Sequence, residues 1–137
     1  MIIHVFTYGS LMYEPVWSRV VSGVYPSQEA MLSGYKRRKV INESFPAILP
    51  GTNDDIVEGR LYFNIRHHDL KLLDRFEGEL YRRQVVECQN PEGERFTAHA
   101  YVFRQRHRHM VSEQAWDPEW FERTGIKIFM KRYAGLK

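Results

Sequence analysis

Asp69-Leu70-Lys71-Leu72-Leu73-Asp74-Arg75-Phe76-Glu77-Gly78 is the stretch on which the reading of this chain turns. Leu70, Leu73 and Glu77 recur at i, i+3 and i+7, so they share one face of a short helix. Leu72 and Phe76 flank that arc; Lys71, Asp74 and Arg75 fall outside it. Strand-like runs stand on both sides. Upstream is Ile56-Val57-Glu58-Gly59-Arg60-Leu61-Tyr62-Phe63. Downstream, residues 83–89 and 96–104 form two strands joined by Asn90-Pro91-Glu92-Gly93, a strong turn signal. One helix set among so many strands predicts an α+β fold built on a mixed sheet or small barrel.

The rest of the chain extends that pattern. Residues 2–6 read as a buried first strand that ends at the turn-prone Gly9-Ser10. A helix follows from about Glu14, with Pro15 suited to its first position and Val16, Trp17, Val20 and Val21 as its apolar stripe. Residues 28–41 carry two weakly alternating strands around Gly34, and Phe45-Pro46-Ala47-Ile48-Leu49-Pro50-Gly51 is an apolar run boxed by prolines. Asp117-Pro118-Glu119 opens a last helix, in which Asp caps and Pro starts the first turn. Trp120, Phe121, Ile128 and Phe129 are its expected apolar face, weakened in the middle by Gly125. The basic run Arg104-Gln105-Arg106-His107-Arg108-His109 reads as a solvated loop.

Composition narrows the function classes. With 137 residues the chain is expected to be a single domain, 1–137, large enough for a core without disulfides. The one cysteine, Cys88, excludes an internal disulfide framework and fits a cytoplasmic setting. A net charge of +3 is too small to argue for nucleic acid. The N-terminus lacks the basic lead and long apolar run of a signal peptide, and no stretch has membrane-spanning length.

Glu77 puts a carboxyl in the stripe that should face the core. An unpaired buried charge is costly, so such a group is kept neutral, partnered or reactive. Desolvation raises its pKa toward neutrality, which suits a general acid or base. The alternative is a last helical residue that turns out to water before Gly78. A second candidate is Tyr8-Gly9-Ser10-Leu11, directly after the first strand. A strand that breaks into a glycine turn can present consecutive backbone N–H groups to an anion, or can be an ordinary connection. Ser10 lacks the Gly-x-Ser-x-Gly context of a hydrolase nucleophile, because no second glycine follows Leu11-Met12. The histidines have no metal-ligand spacing, and no phosphate loop or dinucleotide fingerprint occurs. No metal or organic cofactor is expected.

Three blocks in order carry a resemblance. Tyr8-Gly9-Ser10-Leu11 matches the Tyr-Gly-Ser/Thr-Leu signature of the γ-glutamylcyclotransferase-like superfamily. Val57-Glu58-Gly59-Arg60-Leu61-Tyr62 resembles its Val-x-Gly-x-Leu/Val-Tyr strand. Leu73-Asp74-Arg75-Phe76-Glu77-Gly78-Glu79-Leu80-Tyr81-Arg82-Arg83 resembles its Leu-Asp-x-Phe/Ile-Glu-Gly…Tyr-x-Arg segment. Residues 117–133 resemble a tail of the plant avirulence-induced branch and its bacterial relatives. The nearest likeness is to that branch and to the γ-glutamylamine cyclotransferases. The resemblance implies a small mixed β-barrel with peripheral helices and a pocket at one end. It also implies a small-molecule γ-glutamyl substrate that cyclises to 5-oxoproline with release of an amine. Glu77 is the expected catalytic acid and base; Tyr8, Gly9, Ser10, Leu11 and Tyr81 are the expected substrate-binding residues. The turn backbone would hold the substrate's α-carboxylate or polarise its γ-carbonyl. Glu79 has no such role in the family pattern. The alternative function is a non-enzymatic small-ligand-binding domain of the same fold, with no nucleic-acid or membrane partner.

Overall fold

Val5-Phe6-Thr7 is a fully buried three-residue run, and it forms the strand β1 (Val5–Thr7) from which a barrel is closed. The computed structural model describes residues 2–133. The strand begins later than the sequence pattern suggested, because Ile2 is exposed and pairing starts only at Val5. A turn of 3₁₀ helix (Ser10–Met12) leads into α1 (Glu14–Val20), whose Val16, Trp17 and Val20 are buried as expected. Then come β2 (Ser27–Ser33), β3 (Tyr35–Val40), β4 (Pro46–Pro50) and β5 (Ile56–Tyr62). Helix α2 (His67–Glu77) follows, then the long hairpin of β6 (Tyr81–Gln89) and β7 (Arg95–Phe103). The turn between them has Gly93 at φ 88°.

β1, β5, β2, β6 and β7 close into a barrel in that order. Its pairings are antiparallel except the seam, where Val5 of β1 meets His99 of β7 in parallel. A barrel leaves no open sheet edge. Gly59 permits the β1–β5 contact: a Cβ there would collide with the Thr7 carbonyl oxygen and the Phe6 ring. Phe6, Leu32, Val57, Leu61, Ala98 and Ala100 fill the barrel interior with almost no exposure.

Gly34, at φ 87°, does not close a simple hairpin. It carries the chain out of the barrel into a second sheet of order β4-β3-β8, where β8 is Val111–Ala115. Arg37 of β3 ties this sheet to the barrel: its Nη1 donates to the carbonyls of Tyr8 (2.8 Å) and Glu58 (3.0 Å). β8 is not evident from sequence, since Ser112, Glu113 and Gln114 make a polar, mostly exposed strand. The basic run forms a largely exposed 3₁₀ segment (Gln105–Met110) before it.

The C-terminal helical segment starts as predicted, with the Asp117 carboxylate accepting from the Glu119 N–H at 3.0 Å. It runs through α3 (Pro118–Trp120), a π turn (Phe121–Gly125) and α4 (Ile126–Arg132). The π turn corrects the expected face. Eight residues along an unbroken α-helix, Phe129 would point about 80° away from Phe121. The extra residue taken up by the π turn cuts that to about 20°. Both rings are therefore buried, with centroids 5.9 Å apart, while Ile128 is turned out and 51% exposed. Gly125 packs closely under the Trp120 ring.

Candidate active site

α2 forms because Leu70 and Leu73 repeat on one face, and both are buried. Gly78, at φ 72°, ends the helix immediately after Glu77. Its first turn is fixed by Asp69, which is 1% exposed. One carboxylate oxygen of Asp69 accepts from the Ser22 N–H and hydroxyl, both at 2.9 Å. The other accepts from the Gly23 N–H (2.9 Å) and the Tyr25 hydroxyl (2.6 Å). Burial alone would raise this carboxyl, but the four donors outweigh it and hold the pKa at about 2.

The last turn is fixed through Asp74. Its carboxylate accepts from Tyr101 Oη of β7 (2.7 Å) and from Arg83 Nε of β6 (2.8 Å). Arg83 Nη1 donates in turn to His99 Nδ1 at 2.6 Å. These bonds set the height and rotation of α2 against the hairpin, and so the placement of Glu77 one turn later.

Glu77 faces a cavity of about 290 Å³. Its side chain is half-buried, and its open edge lies on that cavity. No hydrogen-bond donor reaches its carboxyl among the described residues; desolvation, and secondarily the negative charge of Asp74, push its pKa up to about 8. The half-buried Phe76 and Leu80 and the buried Phe129 line the same cavity.

The turn after β1 forms another part of the same cavity. Tyr8, Gly9, Ser10 and Leu11 all line it. Gly9 and Ser10 carbonyls accept from the Met12 and Tyr13 N–H groups, whereas the N–H groups of Ser10 and Leu11 donate to no backbone acceptor among the described residues. That is normal for the opening of a helical turn. A Cβ on Gly9 would come within 2.8 Å of the Pro46 ring, so only glycine lets β4 close over this turn. Tyr8 Oη donates to the Tyr101 carbonyl (2.6 Å), and Tyr81 Oη to the Pro46 carbonyl (2.7 Å). Both phenols are buried, which raises their pKa values well above the ordinary range and keeps them neutral.

All six expected site residues, Tyr8, Gly9, Ser10, Leu11, Glu77 and Tyr81, thus line one cavity. Glu79 also touches it, but its side chain is largely exposed and sits 3.7 Å from Arg106. The sequence reading missed Phe45, Phe76, Phe129 and Tyr133, whose rings build the remaining wall. The abundance of aromatic residues hinted at such a wall without saying which rings would meet. Among the described residues no group of three or more His, Cys, Asp or Glu side chains could hold a metal ion, and no helix is long and apolar enough to cross a membrane.

A family model described as "Gamma-glutamyl cyclotransferase, AIG2-like" matches residues 5–118. AIG2-like protein D of Arabidopsis thaliana is 28% identical over 129 residues, which is 93% of this chain and 84% of that protein. A solution structure from Arabidopsis thaliana has a TM-score of 0.74 at 23% identity, covering 99% of this chain and 82% of the other. A structure of a gamma-glutamyl cyclotransferase has a TM-score of 0.69 at 18% identity, covering 98% of this chain and 81% of the other. At these identities the two structures share the fold. Barrel, turn, helix and family match agree, and the chain belongs to the AIG2-like gamma-glutamyl cyclotransferase family.

Proposed function

We propose that this protein is a γ-glutamylcyclotransferase: it closes the γ-glutamyl group of an amide substrate to 5-oxoproline and releases the amine. One observation carries the reading. A carboxyl that meets no donor among the described residues, with its pKa pushed up to about 8, lines the same cavity as a glycine turn whose Ser10 and Leu11 N–H groups meet no backbone acceptor among those residues.

Nucleophile and electrophile belong to one substrate, so the site mainly has to fold that substrate into an attacking shape. The N–H groups of the turn hold its γ-glutamyl end. The Glu77 carboxylate takes a proton from the α-ammonium. The freed amine attacks the γ-carbonyl carbon, the ring carbon–nitrogen bond forms, and the amide carbon–nitrogen bond breaks. In all, two protons pass from the α-nitrogen to the leaving nitrogen. Glu77 relays them in turn and ends as it began. A carboxyl with a pKa close to that of an amine accepts and returns protons with little penalty.

The test is to incubate the purified protein with a panel of γ-glutamyl amides and amino acids and follow 5-oxoproline by mass spectrometry. Turnover by wild type and its loss in Glu77→Gln is the expected result. Saturable binding of these compounds with no 5-oxoproline would favour a ligand-binding domain instead.

A further inference from the structure

Arg37 stands directly behind the glycine turn: its Nη1 donates to the Tyr8 carbonyl at 2.8 Å and to the Glu58 carbonyl at 3.0 Å. On β3 it sits opposite the fully buried Ile48 of β4, so its side chain leaves the sheet on the barrel side. It does not line the cavity that Glu77 faces, but opens to a separate hollow beyond the turn. The Trp116 ring holds the guanidinium from another side, with Cζ 5.2 Å from the ring centroid. Trp116 is itself buried and locked, since its Nε1 donates to the Ser44 carbonyl at 2.8 Å.

As a structural tie alone, this arrangement is costly. Arg37 is half-buried and makes no ion pair among the described residues. Glu58 reaches it only through its charge, from an exposed side chain. Burial lowers the Arg37 pKa, yet a guanidinium stays charged at any physiological pH. A desolvated charge is unfavourable unless an anion offsets it. One of the two carbonyls it holds belongs to the turn. The Tyr8 carbonyl and the Gly9 N–H share one trans peptide plane and point in opposite directions. Fixing the carbonyl on Arg37 therefore aims the Gly9 N–H away from the guanidinium. A charged donor on the carbonyl also strengthens that N–H as a donor in its turn.

We infer that Arg37 is a positioning residue for the cyclisation: it orients the Tyr8–Gly9 peptide and lends the turn the positive charge that holds the substrate's α-carboxylate. This rests on the cyclotransferase reading and names what the turn grips. An α-carboxylate keeps its charge from the bound substrate through ring closure, so Arg37 stabilises both states alike. Its loss therefore acts on KM and not on kcat. Desolvation and Asp74 set the Glu77 pKa, so the pH dependence of turnover stays in place when Arg37 is replaced.

The test uses the γ-glutamyl compound that wild type turns over fastest in the panel and its α-carboxamide counterpart, in which the carboxylate has become a neutral amide. The counterpart is followed by amine release or, where turnover is too slow, as a competitive inhibitor. Arg37→Gln should raise KM for the carboxylate compound about tenfold, the order expected of a charge acting across a few ångströms of protein. Its kcat should change by less than about threefold. For the carboxamide the same variant should match wild type. Arg37→Lys keeps the charge and should lie between wild type and Arg37→Gln. Urea unfolding checks that each variant is folded; Arg37→Met, whose stem still packs on Trp116, replaces the glutamine variant if that one is not. An equal penalty on both compounds, or failure of every variant to fold, makes Arg37 a structural tie and overturns the inference. So does a loss confined to kcat, which would have the turn polarise the γ-carbonyl instead. In each of these cases the cyclotransferase reading stands. Absence of 5-oxoproline from wild type with every compound overturns both.

Discussion

At the first turn of α2, Asp69 accepts four hydrogen bonds; at its last residue, Glu77 accepts none from the described residues. Asp69 is buried and Glu77 half-buried on the same short helix. Asp69 is held at about 2 and Glu77 is pushed up to about 8. Burial acts in the same direction on both, so donors, not depth, make the difference. A clasped carboxylate is a structural anion, fixed in charge at any physiological pH. A bare carboxyl is one that can change charge where amines do. The helix is therefore pinned at one end by the kind of group that is left reactive at the other.

The sharpest way to break this comparison is Glu77→Gln. The amide is nearly isosteric but cannot relay protons, and turnover should fall by about 10² to 10⁴. Stability should move the other way. Glu77 has a folded pKa above its ordinary 4.5, so the folded state binds its proton more tightly, and stability falls as pH rises from 4.5 to about 8. Above that range Glu77→Gln should gain on the order of 2 kcal/mol in urea unfolding, less than full conversion of the shift because one edge of the side chain faces the cavity. A Gln variant that turns over normally would leave Glu77 a spectator.

Asp69→Asn tests the clasped end. Its new amide N–H₂ would face donors, and leaving them unsatisfied should cost about 2–3 kcal/mol. The folded pKa of Asp69 lies below its ordinary 3.8, so its stabilisation is present above 3.8 and is lost as pH falls toward about 2. The gap between wild type and Asp69→Asn in thermal unfolding should therefore shrink over that acid range. A gap that persists unchanged would mean that shape, not charge, fixes the helix.

Between the two lies Asp74, whose negative charge adds to the rise at Glu77. For the free enzyme, kcat/KM should climb with pH toward about 8 as the Glu77 carboxylate forms. Asp74→Asn removes the like charge, and this acid limb should move to lower pH. A limb that stays in place would assign the whole rise to desolvation. The smallest effect should come from Glu79→Gln. That side chain is exposed and paired with Arg106, so activity should stay within about twofold, as for surface groups in general.

Local pattern made part of this legible. The 3.6-residue repeat placed α2, and the Asn-Pro-Glu-Gly turn placed the β6–β7 hairpin. The three sequence blocks carried the barrel and all six expected site residues. What stayed hidden depends on partners far apart in the chain. The donors to Asp69 lie 44 to 47 residues upstream, so its burial left no local trace. β2 and β3 were legible as two strands around Gly34, but strand pattern does not reveal which sheet a strand joins. β8 hid because exposed strands lack the apolar alternation that marks buried ones. Ile128 was misplaced because a single π turn changes the phase of every later residue.

That π turn bears on how such a protein diversifies. The family match ends at residue 118, and the turn, the glutamate and the hairpin all lie within it. Phe129 and Tyr133 lie beyond it, in a segment that reaches back to the cavity. The aromatic lining of the cavity is thus split: Phe45 and Phe76 lie within the matched region, Phe129 and Tyr133 outside it. Adding or deleting one residue near position 123 would rotate both rings away, and since Phe129 is buried in the core cluster with Leu73, Tyr81 and Phe103, it would also unpack part of that core. The C-terminal segment thus shapes the cavity and braces the core at once, so a single-residue insertion there would change both.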